Sequence, residues 1–297
     1  MFKKTNNFFG IDSKTLSIPS IPKKNYIGLR DNVYSGSLIH QLLYAKSEIM
    51  RSIIFSYGGA VQSVAILVLI AQGKLQKPDV IIMADTGREG SATWDYLEEI
   101  AKPIMMSAGL CFDIAPHTLA TVDLYGHNGD MLLPAYTQTG KLPTFCSDEW
   151  KQRPVRRRLR ELGYGPKRPI IQWLGMSLDE VGRLRQSDVK WIDNHYPLCF
   201  DVKKRRHECE LLIKEFGLPV PPKSACWMCP NRRNEEWQFL REHYPDDFQK
   251  AVALEQELSD ADDSGLFFHK QRVELKNVDF SMTEQPQREF CANQCFT

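Results

Sequence analysis

The stretch Phe55-Ser56-Tyr57-Gly58-Gly59-Ala60-Val61-Gln62-Ser63 stands between two apolar runs, Ser52-Ile53-Ile54 and Val64 to Ala71. A strand that ends in small residues before a helix aims backbone N–H groups and the positive end of the helix dipole at whatever lies above it. That arrangement binds phosphate. Gly58 and Gly59 would let the backbone approach an anion, while Ser56 and Ser63 could donate hydroxyl hydrogen bonds. A plain strand–turn–helix corner is the alternative. The stretch matches neither G-x-x-x-x-G-K-[ST] nor G-x-G-x-x-G, so its neighbours must decide.

Two further constellations could do chemistry. Cys226 and Cys229 have C-x-x-C spacing, which lets two thiolates turn onto one metal ion or cluster. A zinc site and a set of buried free thiols are both open readings. Lys151 to Arg168 holds eight basic residues against one acid, Glu161. Helical spacing places Arg153, Arg156, Arg157 and Arg160 roughly on one face. Such density suits a phosphate-rich partner, whether a nucleotide, tRNA or DNA; a solvated helix face is the alternative.

These residues need elements to hold them. From Arg51 the pattern alternates. Ile53 to Ser56 reads as a strand, Val61 to Gln72 as a helix ended by Gly73, Val80 to Ala84 as a strand and Ser91 to Met106 as a helix. Leu110 to Ile114 and Ile170 to Met176 read as further strands. The alternation predicts an α/β fold, a mostly parallel sheet with helices on both faces. Asp85-Thr86-Gly87 then falls at the carboxyl end of a strand, where open α/β sheets bind ligands. Residues 117–145 read as a long loop, and Ser177 to Glu180 as a helix capping box. Helices are expected from Lys204 to Phe216 and, amphipathic, from Glu235 to Leu258. Trp237 to Leu254 is expected to pack a core.

The organisation expected is an arm and helix over 1–50, a nucleotide-binding α/β domain over 51–200, a cysteine-bearing helical part over 201–280 and a tail over 281–297. With 297 residues and a formal net charge of +1, no global charge argues for nucleic acid or a membrane. The amino terminus carries no signal-peptide core, so a cytoplasmic protein with no membrane partner is expected. Eight cysteines in a reducing compartment are ligands, catalysts or buried thiols rather than disulfides. Cys111 and Cys199 read as core.

The order FSYGGAVQS, strand, ADTGREGSATWDYL resembles the PP-loop superfamily, and most closely its sulfonucleotide (PAPS/APS) reductase-like branch. Phe145-Cys146 with Lys151 and Pro154-Val155 is similar to a C-C-x-x-R-K-x-x-P-L segment. Gly175-Met176-Ser177 with Glu180, Arg183 and Arg185 is similar to G-x-R-x-x-E-S-x-x-R. Tyr196-Pro197-Leu198, the Gly217-Leu218-Pro219 turn and Cys226-x-x-Cys229 resemble the closing stretch. About residues 51–235 are covered in the same order. Phe145 replaces one member of the first cysteine pair, Ser91-Ala92-Thr93 replaces Pro-Glu-Thr, and Gln62 replaces the loop acid of the ATP pyrophosphatases.

The resemblance implies an adenine nucleotide α-hydrolase-like (HUP or Rossmann-like) sheet. It implies contacts to ATP or another adenine nucleotide, with Mg²⁺, from Ser56, Tyr57, Gly58, Gly59, Gln62, Ser63, Asp85, Thr86, Gly87 and Gly175. Asp85 and Arg183 would act in catalysis. It implies a [4Fe–4S] cluster, or alternatively Zn²⁺, on Cys146, Cys226 and Cys229, with Cys209 as a candidate fourth ligand. One implied activity is adenylation of a nucleic-acid base or backbone, in tRNA or DNA, followed by sulfur transfer, with a cysteine desulfurase or other sulfur donor as partner; Lys151, Arg153, Arg156, Arg157 and Arg160 would meet phosphate. A second is sulfonucleotide reduction with Cys291 or Cys295 as nucleophile. A third is a nucleotide-sensing or nucleic-acid-binding protein without catalysis. The oligomeric state, a homo-oligomer included, is left open.

Overall fold

The computed structural model describes residues 51–118, 123–261 and 265–281. The expected arm over 1–50, and Cys291 and Cys295 of the tail, lie outside the described residues. Five strands form one parallel sheet: β1 (Ser52–Ser56), β2 (Val80–Ala84), β3 (Phe112–Ala115), β4 (Ile170–Leu174) and β5 (Ile192–His195), in the order β3-β2-β1-β4-β5. The order reverses between β1 and β4. That switch point opens a crevice beyond the carboxyl ends of the two strands.

The sheet is covered on both faces, as parallel sheets must be. Phe55, Ile81, Met83 and Trp173 pack on one face under α1 (Val61–Ala71), every residue of which is buried. Ile54, Ile82 and Ile170 pack on the other face with Val155 and Leu159 of α4 (Arg153–Glu161). Gly73, at φ +69, ends α1 as read. A second core lies away from the sheet. It gathers Leu132, Leu133 and Trp150 with Met228, Trp237, Leu240 and Phe248, so Trp237 and the positions after it are core as expected.

The remaining helices are α2 (Ser91–Tyr96), α3 (Lys102–Ser107), α5 (Pro197–Phe200), α6 (Arg206–Glu215), α7 (Asn234–His243) and α8 (Pro245–Ala261). A π-helical turn, Leu97–Ala101, joins α2 to α3, and another, Asp148–Gln152, leads into α4. Each precedes a proline, Pro103 or Pro154. The proline ring offers no N–H and crowds the carbonyl four residues back, so the turn before it widens.

Three expectations change. The single helix read over Glu235 to Leu258 is two, because Pro245 drives Tyr244 out of helical geometry (φ −132, ψ 59). Cys111 is exposed rather than core. Packing also crosses the boundary expected at residue 200, since Cys209, Leu212 and Ile213 of α6 join the sheet core under α1. No helix among the described residues is long and apolar enough to cross a membrane.

Candidate nucleotide and thiol site

The glycine loop sits at the switch point. Tyr57 N–H donates to the Ile82 carbonyl at 2.9 Å and carries the β1–β2 pairing one residue into the loop. Gly58 N–H then donates to Ser63 Oγ at 3.0 Å, closing the loop onto the first turn of α1. Ala60, the N-cap of α1, makes no side-chain cap bond, so the positive end of the helix faces the crevice. Gly59 is required here. Its φ is +75, and a Cβ would stand 2.7 Å from Thr93 Cγ2. Gly175, after β4, lies so close to Ser63 that its Cβ would meet Ser63 N and Oγ at 3.3 Å.

Above this loop lies a solvent-open cleft. Ser56, Tyr57 and Gly58 form one wall, with Met83 and Ala84 from the end of β2. Glu89, Lys151, Arg156, Gln172 and the segment from Arg185 to Asp188 complete it. Ser56 Oγ accepts from Gln172 Nε2 at 2.6 Å. Burial pushes the Tyr57 phenol well above its ordinary range, and the hydroxyl, packed in the sheet core, has no hydrogen-bond partner among the described residues.

Several residues expected in this site are turned elsewhere. Gln62 is buried, donating to Glu180 Oε2 at 2.9 Å and accepting from Arg206 Nη1 at 3.4 Å; it ties α1 to neighbouring elements. Arg183 is ion-paired with Glu180, one helical turn back, while Arg185 lines the cleft. Asp85 commits both carboxylate oxygens: Oδ1 accepts Gly87 N–H at 2.7 Å, and Oδ2 lies 2.7 Å from His117 Nδ1. The first bond sets the Asp85-Thr86-Gly87 turn, with Gly87 at φ +68. Thr86 is fully buried, accepts Arg88 N–H at 3.2 Å and reaches Cys226 Sγ at 3.6 Å.

That last contact leads to the cysteines. Residues 88–90 and 225–227 run side by side: Gly90 N–H donates to the Ala225 carbonyl at 3.0 Å, and Trp227 N–H to the Arg88 carbonyl at 2.9 Å. Cys229 N–H closes a turn onto the Cys226 carbonyl at 3.0 Å. Buried Arg232 donates from Nη2 to the carbonyls of Ala225 and Cys226, both at 3.1 Å, so it braces this segment rather than adding to a basic surface.

Cys146, Cys226 and Cys229 lie within one another's electrostatic field. Burial pushes the Cys226 thiol up to about 12, the charges of Glu89 and Cys229 add to the rise, and Lys151 and the Thr86 hydroxyl oppose it. Burial raises the Cys146 thiol further, again with Lys151 opposing. Cys209, expected as a fourth ligand, is not with them. It is fully buried in the core under α1, where burial pushes its thiol up to about 12. Three soft donors in one field suit zinc or an iron–sulfur cluster. Among the described residues, however, no three His, Cys, Asp or Glu side chains already converge on a metal position.

The two parts share a junction. Lys151 Nζ stands 4.0 Å from Glu89 Oε2. Both residues line the cleft, and both act on Cys226. The rest of the basic segment is engaged locally. Arg153 pairs with Asp148 (3.1 Å) and Glu149 (2.9 Å), and Arg156 with Asp188. Arg157 donates to the Pro116 carbonyl at 2.8 Å, and Arg160 lies over the Trp191 ring at 5.7 Å. The four expected on one open basic face are thus tied to four surroundings.

Sequence reading did not single out Glu89, Gln172 or His117. Gln172 had a signal, a polar residue interrupting the apolar strand Ile170-Ile171-Gln172-Trp173. Glu89 stands two residues past Asp85-Thr86-Gly87 but acquires its role from Ser224 and Lys151, far along the chain. His117 lies in the segment read as a featureless loop.

No family model matches the chain, and no curated protein matches it. Among solved structures it is similar to the U34-tRNA thiolase NcsA from Methanococcus maripaludis with its [4Fe-4S] cluster. The TM-score is 0.39 and the identity 16%, over 75% of this chain and 79% of that one.

Proposed function

We propose that this chain is a PP-loop enzyme of sulfur chemistry that activates an acceptor with an adenine nucleotide and passes sulfur to it. The observation that supports this reading is the Glu89–Lys151 pair, which lines the switch-point cleft and whose charges act on the Cys226 thiol. Half-buried thiols near a phosphate-binding loop suit an enzyme that replaces oxygen with sulfur, which needs both.

Gly58, Ser63 and the amino-terminal end of α1 hold the phosphates of ATP, whose remaining charge Mg²⁺ balances. Lys151 and Arg185 face the charge that builds up on phosphorus. An acceptor oxygen attacks the α-phosphorus, and pyrophosphate leaves. Sulfide then attacks the activated carbon and AMP leaves; where a cysteine desulfurase supplies the sulfur as a persulfide, an added thiol reductant cleaves the resulting S–S bond and is itself oxidised to a disulfide. Cys146, Cys226 and Cys229 would hold an iron–sulfur cluster, which supplies sulfur-carrying chemistry when bound. Zinc on the same thiols would supply a cross-link. The acceptor is a base or the backbone of tRNA or DNA.

The test is release of AMP and pyrophosphate from ATP by full-length protein purified without oxygen, with unmodified tRNA or DNA and a sulfide donor. AMP, pyrophosphate and thiolated nucleic acid in equal amounts are expected. ATP binding with no AMP across all acceptors would overturn the reading.

A further inference from the structure

Glu89 is a charge that the chemistry above does not use. It is 6% exposed, yet it lines the cleft. Ser224 Oγ and Thr93 Oγ1 donate to its Oε1 at 2.9 and 3.1 Å, and Lys151 stands at its other oxygen. Both hydroxyl donors sit directly beneath the glycine loop. A Cβ on Gly59 would meet Thr93 Cγ2 at 2.7 Å and Ser224 Cβ at 3.6 Å. One layer of side chains therefore separates a fixed carboxylate from the backbone that would cradle phosphate.

We propose that Glu89 is a specificity-determining residue that sets how much negative charge the cleft accepts. A polyphosphate enters once a divalent cation has neutralised it, and the bare polyanion is refused. This rests on the reading of the cleft as a nucleotide site. A buried carboxylate and a phosphate repel more strongly across a partly dehydrated wall than across water. Lys151 is held by Glu89 because a buried charge without a partner is costly, so its ammonium is shared rather than given wholly to the ligand. The hydroxyls of Ser224 and Thr93 fix the carboxylate in place. Glutamine would keep an oxygen acceptor for both hydroxyls, remove the charge and turn an amide NH2 toward Lys151.

The experiment is calorimetric titration of the full chain with adenosine, with ATP in chelator, and with ATP in excess Mg²⁺. Wild type, Glu89→Gln and Lys151→Met are compared. Glu89→Gln is expected to tighten bare ATP about tenfold, Mg-ATP, which keeps about half the charge, about threefold, and adenosine less than about twofold. A merely structural glutamate would change all three ligands together or none, and either result overturns the assignment. Weaker Mg-ATP binding in Glu89→Gln would make Glu89 a magnesium ligand and overturn it equally. Should that variant fail to fold, Lys151→Met carries the test. With Glu89 uncompensated, bare ATP should lose about tenfold more than Mg-ATP, and equal losses would overturn the proposal. Wild type that binds neither adenosine nor ATP would remove the nucleotide reading and this assignment with it. Adenosine binding with an unchanged bare-ATP affinity in Glu89→Gln would remove Glu89 alone.

Discussion

Cys209 is fully buried and Cys226 half-buried, and burial pushes both thiols up to about 12. Their surroundings nevertheless differ in kind. Cys209 packs with Leu212 and Ile213 of its own helix under α1, in a core built of apolar side chains. Cys226 reaches Thr86 and feels the charges of Glu89, Lys151 and Cys229. The molecule thus has one face whose burial serves packing and another whose burial encloses polar groups at a cost. Buried, mutually paired polar groups are expensive to assemble, and they accumulate where chemistry needs them. Depth alone does not separate a structural thiol from a functional one; the company it keeps does.

The largest expected effect lies at the glycine loop, where the two regions meet. Gly59→Ala combines a left-handed φ with a Cβ placed 2.7 Å from Thr93. It should cost about 2–4 kcal/mol of stability and abolish nucleotide binding. Gly73→Ala has a similar φ, +69, but open space around the new methyl, so about 1 kcal/mol is expected. Urea unfolding of the two variants isolates the steric part, and equal losses would break the comparison.

Next come the thiols themselves. Cys226→Ala should lose bound metal while keeping the fold. Cys209→Ala should keep the metal and lose about 1–2 kcal/mol through the cavity it leaves. Metal analysis alongside a denaturation curve checks both, and metal loss in Cys209→Ala would place that residue back in the ligand set.

A smaller contrast separates the two arginines. Arg185 lines the cleft, whereas Arg183 is paired with Glu180. Arg185→Gln should weaken Mg-ATP binding about tenfold, the loss of one charge-assisted contact, and Arg183→Gln less than about threefold. Titration calorimetry gives both values.

The smallest effect is in the second core. Burial raises the Glu255 carboxyl above the ordinary glutamate range, against N–H bonds from Leu275 and Phe268 that lower it. The folded chain therefore holds this proton more tightly than the unfolded chain. Its contribution to stability is greatest below the ordinary value of about 4.3 and declines as pH rises through the raised folded value. Urea midpoints should fall less steeply over that window in Glu255→Gln than in wild type, and parallel curves would contradict this.

Much of the frame was legible because local periodicity encodes it. β1, α1, β2 and the end of α1 at Gly73 follow from apolar runs and one glycine. β5 was missed, since Ile192-Asp193-Asn194-His195 has a single apolar residue and reads as loop; it survives as an edge strand paired only to β4. The glycine loop and the C-x-x-C were visible as short motifs. What joins them was not, because the approach of Glu89 to Ser224 and Lys151 depends on chain segments more than 60 residues apart. The partners of the basic run were hidden for the same reason: Asp188 and Pro116 lie outside the segment, so spacing along one helix showed the charges and not the groups beside them.

The most direct test of a joined nucleotide and sulfur site is the iron, acid-labile sulfide and zinc content of wild-type protein purified without oxygen. About four irons and four sulfides per chain, with the broad visible absorption of a [4Fe–4S] cluster, are predicted. Zinc in place of iron, or thiols carrying no metal, would contradict the sulfur-carrying half of the account.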